Sequence, residues 1–287
     1  MTAQVGEDMT AADRAFASPT ARRATLTLIA RTGFAARGLM YFLVGAFAAA
    51  AAMGFREQPH GIMDAVQAVT GSRLRLILAA SIGLGLACLA TYFALIGIWH
   101  CLRGNGAKRW LLSAGMLGDA AIYAAVMICV LSLLFGWQAD GEHQAQLWTA
   151  WVFAKPFGRG LVGLAGVAIL LCGIGVIAWV LIADIDDDID LPEQQKGMIE
   201  PIGRYGLSGR GLAVSLVGIY WISAALHGDP AQAHELGGAL QSVQQDSRGW
   251  LLLLVLSLAF AASALFDFIQ ALYHRPEPGL DIPGCSN

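Results

Sequence analysis

Six stretches of this chain are apolar over at least 16 residues and contain neither Lys nor Arg: residues 38–54, 76–102, 110–137, 160–183, 211–226 and 249–273. A helix of about 20 mainly apolar residues, rising ~1.5 Å per residue, crosses ~30 Å of hydrocarbon. A helix also satisfies its backbone polar groups within one segment, which hydrocarbon demands. The pattern predicts an all-α membrane protein with six transmembrane helices. The first and fifth stretches have only 17 and 16 residues. Each follows a moderately apolar segment closed by an arginine, residues 32–37 and 202–210. Those two helices are predicted to begin earlier, with Arg37 and Arg210 reaching toward the interface.

Composition closes the other routes. Apolar residues make up 56% of the 287 and charged residues 14%, against about 25% charged in a typical soluble domain. So little charge cannot clothe the surface of a soluble enzyme or keep a chain disordered. A net charge of −3 leaves no basic footprint for nucleic acid. Of the five cysteines, Cys88, Cys101, Cys129 and Cys172 lie in or beside apolar stretches, and no CxxC pair suggests a metal or redox site. They read as small packing residues. The first 23 residues carry Glu7, Asp8 and Asp13 and no apolar run, so they read as a solvated tail, not a leader.

Lysine and arginine in the connections set orientation. Ten lie on the side of the termini: Arg14, Arg22, Arg23, Arg31, Arg103, Lys108, Arg109, Lys196, Arg204 and Arg275. Six lie opposite: Arg56, Arg73, Arg75, Lys155, Arg159 and Arg248. The bias predicts both termini in the cytoplasm.

The chain also repeats itself. Gly33, Arg37, Gly38, Leu39, Val44 and Gly45 recur 173 residues later as Gly206, Arg210, Gly211, Leu212, Val217 and Gly218. A middle copy runs Gly115, Asp119, Ala120, Ala121, then Tyr123 in the place of Tyr41. The even helices open on Ser72-Arg73, Gly158-Arg159 and Ser247-Arg248. Ahead of them lie residues 65–69, 147–151 and 239–243, the outer two reading as short amphipathic helices and the middle one as an aromatic interfacial segment. The reading is three parallel two-helix repeats packed as a pseudo-threefold bundle, with an open array as the alternative. Residues 1–26 form a polar tail, 27–103 the first pair, 108–183 the second, 184–200 an acidic linker, 201–275 the third pair and 276–287 a tail. Gly38 with Gly45, and Gly211 with Gly218, are each seven apart and predict close helix contact.

The segments ARTGFAARGLMYFLVGA and GRYGLSGRGLAVSLVG, with GALQSV ahead of SRGWLLL, resemble a bacterial membrane family known as domain of unknown function 1206. The resemblance spans roughly residues 27–275 and departs at Asp119, which stands where the outer copies carry arginine. It implies six helices in three pairs in a bacterial inner membrane, and it brings no activity, cofactor or catalytic residues.

Few polar residues sit where they are costly. The repeat places Asp119 level with Arg37 and Arg210, so an Arg37–Asp119–Arg210 cluster is the expected way to remove the cost of an intramembrane acid. A proton or ion pathway through Asp119 is the competing reading. Asp267, near the end of the last helix, is expected to reach the interface, since Tyr92 and Ala178 at the matching positions are not acidic. His60, His143 and His234, one in each outer loop, read mainly as solvated side chains, with an outer metal or pH site as the minor alternative. Asp184, Asp186, Asp187, Asp188 and Asp190 form a solvated linker, lacking the Gly and Glu of a calcium loop, and offer a docking site to a basic partner. No nucleophile elbow, zinc-protease motif or phosphate loop is present. The expected function is a non-enzymatic structural or accessory membrane protein without cofactor, whose main partner is the lipid bilayer. The alternative is a small-solute or ion transporter or channel using Asp119.

Overall fold

A computed structural model describes residues 19–54, 72–103, 107–132, 134, 141–182, 193–245 and 249–273. These form eight α-helices and one 3-10 turn: α1 (Pro19–Ala52), α2 (Ser72–Arg103), α3 (Ala107–Ser132), α4 (Gly141–Phe153), α5 (Gly158–Ile182), α6 (Glu193–His227), the turn Pro230–Gln232, α7 (Leu236–Gln244) and α8 (Gly249–Tyr273). No strand occurs among the described residues.

Six helices are long and apolar enough to cross a membrane: α1, α2, α3, α5, α6 and α8. The chain is a multi-pass membrane protein. The first and fifth spans run over Ala24–Ala52 and Ile199–His227, so both begin well before the purely apolar stretches. Their early turns are helical because polar side chains cost a helix nothing where they reach water or a partner. Alternate crossings make α1, α3 and α6 run one way and α2, α5 and α8 return.

Packing is strongest between α2 and α3, between α5 and α6, and between α1 and α8; α1 also packs on α2, and α6 on α8. The spans thus form the row α3, α2, α1, α8, α6, α5. A closed threefold bundle would also seat α3 on α5, but that contact is at most marginal among the described residues. The row is open at that joint, and α3 and α5 are the least buried spans.

Lipid is as apolar as leucine, so contact area between helices must come from close fit. Glycines supply it. A Cβ on Gly38 would lie 3.1 Å from the Ala264 carbonyl, and one on Gly45 3.1 Å from the Phe260 Cβ, both on α8. On α6, a Cβ at Gly211 would lie 2.7 Å from the Gly173 carbonyl, and one at Gly218 2.6 Å from the Leu170 nitrogen, both on α5. The two glycine pairs seven apart therefore each face one neighbouring span. Apolar clusters fill the remaining space, with Val44, Leu253, Leu256 and Phe260 between α1 and α8, and Met40, Ile82, Leu86 and Val130 among α1, α2 and α3.

Residues 147–151 and 239–243 lie in the short helices α4 and α7. Gly158 and Gly249 open the spans that follow, and a Cβ on either would collide with the carbonyl six residues earlier, Val152 or Val243. Residues 65–69 and the Asp184 to Asp190 linker lie outside the described residues.

Candidate functional site

Arg37 sits mid-helix in α1 and Arg210 in α6, both with side chains about nine-tenths buried. Both converge on Asp267 of α8, which is fully buried. Arg37 grips the carboxylate side-on: Nε donates to Oδ2 at 3.1 Å and Nη2 to Oδ1 at 2.7 Å. Nη2 also donates to Gln270 Oε1 at 3.2 Å, and Nη1 to the Tyr123 hydroxyl of α3 at 3.0 Å. Arg210 reaches the same carboxylate from the other side, with Nη2 donating to Oδ2. Its Nε donates to Ser263 Oγ at 3.0 Å and Nη2 to the Ser263 carbonyl at 3.2 Å.

Aromatic rings close the node. The Arg210 guanidinium lies 4.0 Å over the Tyr41 ring, and that ring stacks on Phe260 at 5.8 Å. The Arg37 guanidinium lies 4.9 Å over Phe34. Ring faces are electron-rich and favour a cation where water is absent.

Direction explains the meeting. Asp267 lies six residues, about 9 Å of rise, before the end of α8. Because α8 runs against α1 and α6, its late residues stand level with the arginines. An ion pair taken out of water keeps its value only if the remaining donors and acceptors are also satisfied. Ser263, Gln270 and Tyr123 provide that here.

Two of the three residues expected to cluster meet in the structure. Arg37 and Arg210 come together, but the acid between them is Asp267, and Asp119 is not part of the contact. Asp119 is exposed on α3 and makes no hydrogen bond or ion pair among the described residues. The reason is the setting of α3. Its buried stripe of Ser113, Ala120 and Val130 faces α2, with Ser113 Oγ donating to the Gly97 carbonyl at 2.7 Å. Asp119 is rotated off that stripe, and the longer Tyr123, one turn on, reaches Arg37 instead. Asp267, expected at the interface, is the most buried charge described.

The three loop histidines fare differently. His60 lies outside the described residues, and His143 is exposed on α4. His234 is partly buried, and its Nδ1 donates to Glu142 Oε1 at 2.5 Å. Glu142 also accepts from the Glu235 backbone N–H at 3.0 Å and from Gln146 Nε2 at 3.0 Å. Glu142 thus ties α4 to the segment before α7. Nothing in the sequence around Glu142 marks this role, since His234 and Glu235 lie 92 and 93 residues away. No group of three or more His, Cys, Asp or Glu side chains placed to hold a metal ion occurs among the described residues.

Residues 205–274, which carry Arg210 and Asp267, match the family described as Domain of Unknown Function (DUF1206). The chain is also similar to a Bacillus subtilis (strain 168) protein named "Uncharacterized protein YxxB", at 29% identity over 252 residues, covering 85% of this chain and 90% of the relative. No solved structure matches.

Proposed function

We propose that the chain is a non-enzymatic membrane protein of structural or accessory type, built as three parallel helix pairs and locked by the Arg37–Asp267–Arg210 node. The observation that carries this reading is the use of the buried charges. Arg37 and Arg210 spend most of their donors on protein acceptors from α8 and α3, and the acid spends both oxygens on arginine. Charges used in this way join helices. The three-pair reading is supported by the matching faces of the two glycine pairs, Gly38 with Gly45 and Gly211 with Gly218, each set against the return span of another pair.

In this reading the protein lies in the bacterial inner membrane with both termini in the cytoplasm, as the lysine and arginine bias favours. The acidic segment from Asp184 to Asp190 then faces the cytoplasm and docks a basic protein partner. Reporter fusions after residues 54 and 134 should read external, and fusions after 103 and 273 internal. The structural role is tested by reconstitution. Vesicles carrying the protein should show no flux of ions or small solutes above empty vesicles, and affinity purification from native membranes should bring down a partner that is lost when the five aspartates are changed to asparagine. Reproducible flux abolished by Asp119→Asn would overturn the reading.

A further inference from the structure

The node is not neutral. Two guanidinium groups share one carboxylate, so the three-residue set carries a net positive charge, and Asp119 of α3, which makes no hydrogen bond to it, is a further acid whose charge acts on Arg37. Its donors are not all used either. Arg210 Nη1 has no hydrogen-bond partner among the described residues, and Arg37 Nη1 spends only one of its two N–H groups, on Tyr123. Three charged N–H groups are therefore left without an acceptor among the described residues.

Two contacts locate the side they face. Arg37 on α1 reaches Tyr123 on α3, past α2. Arg210 on α6 reaches Tyr41 on α1, past α8. Both skip a neighbour in the row, so the row is curled and the node sits on its concave side. Among the described residues that side is not closed, because its two ends, α3 and α5, make at most a marginal contact. The node's depth matters too. Asp267 is about 9 Å of helix rise from the end of α8, which puts the charge within reach of one leaflet's headgroups.

We propose that the concave face of Arg210 and Arg37 is an oxyanion site that takes a phosphate group, entering through the open joint between α3 and α5. A guanidinium fork matches the geometry of phosphate oxygens, and a tetrahedral phosphate presents enough acceptors for all three spare N–H groups. Bound there, it neutralises the surplus charge and leaves the Asp267 contacts intact. The phosphate belongs either to a phospholipid, reached sideways from the leaflet, or to free inorganic phosphate. A carboxylate of the chain itself, Asp119 one turn before Tyr123, is the competing counter-charge.

The test uses the full chain purified in mild detergent. Native mass spectrometry of the wild type should show one retained phospholipid, or one phosphate after delipidation and addition of inorganic phosphate. Thermal-shift titrations with phosphatidylglycerol, phosphatidylcholine and inorganic phosphate then separate the sources. A response to phospholipid alone assigns the lipid, and a response to inorganic phosphate assigns the free ion. Arg210→Lys keeps the charge for Asp267 but loses the fork, and should weaken binding at least about tenfold. Asp119→Asn should bind no more weakly than wild type. No phosphate-bearing adduct in the wild type, which needs no variant to fold, would overturn the proposal. So would binding unchanged in Arg210→Lys, or binding that emerges only in Asp119→Asn, since the chain's own carboxylate would then fill the site.

Discussion

Arg37 and Asp267, 230 residues apart, meet in the membrane through two hydrogen bonds of 3.1 and 2.7 Å between one guanidinium and one carboxylate. The pair joins the first span to the last, and Arg210 adds the fifth. Removing Asp267 strands two buried cations at once. Asp267→Ala is expected to cost about 3–5 kcal/mol, the range for breaking a buried pair. Asp267→Asn should cost less, because the amide oxygen still accepts from arginine. Unfolding by denaturing detergent, followed by helical circular dichroism, checks both.

Asp119 provides the contrast. It is exposed and unbonded to any described residue, so Asp119→Asn removes no protein partner and should leave stability unchanged or raise it, an amide costing less than a carboxylate within a span. The same unfolding measurement applies. A loss as large as that of Asp267→Asn would put Asp119 in the node after all.

The spans were legible because hydrocarbon admits so few structures that a charge-free apolar run nearly dictates a helix. The starts of α1 and α6 were legible in kind, since Arg37 and Arg210 interrupt the apolar runs without ending the helices. The acid of the node was not. Following the repeat led to Asp119, because it occupies the arginine position of the middle copy. Asp267 has no counterpart in the repeat, and its level depends on the reversed direction of α8. The rotation of α3 was equally hidden. A span apolar on nearly every side carries no signal of which face meets a neighbour, and the stripe through Ser113, Ala120 and Val130 emerges only from packing on α2.

Glycine substitutions separate contact from bystander positions. Gly218→Ala puts a methyl group against α5, with Leu170 nitrogen 2.6 Å away and the Gly166 carbonyl 2.9 Å away. Both are backbone, which cannot yield without parting the helices, so a loss of about 1–3 kcal/mol is expected. Gly175→Ala and Gly118→Ala meet nothing within 4 Å. Each should be neutral or gain up to about 1 kcal/mol from helix propensity. Thermal melts of the three variants give the comparison.

Before α7, Glu142 holds His234, Gln146 and the Glu235 amide together. Glu142→Ala should release the segment before α7, at a cost of about 1–3 kcal/mol for the unmade bonds. Hydrogen exchange should accelerate at Glu235 and through α7, while amides of α8 near Asp267 stay protected. Unchanged exchange at Glu235 would mean that α4 does not anchor this segment.

The joining of the first and last spans by charge is tested most directly by a double-mutant cycle on Arg37→Gln and Asp267→Asn, read by unfolding in denaturing detergent. The account expects the two losses to be strongly non-additive, with a coupling of at least about 1.5 kcal/mol, as close charge pairs give. Losses that add within about 0.5 kcal/mol, the behaviour of independent sites, would contradict it.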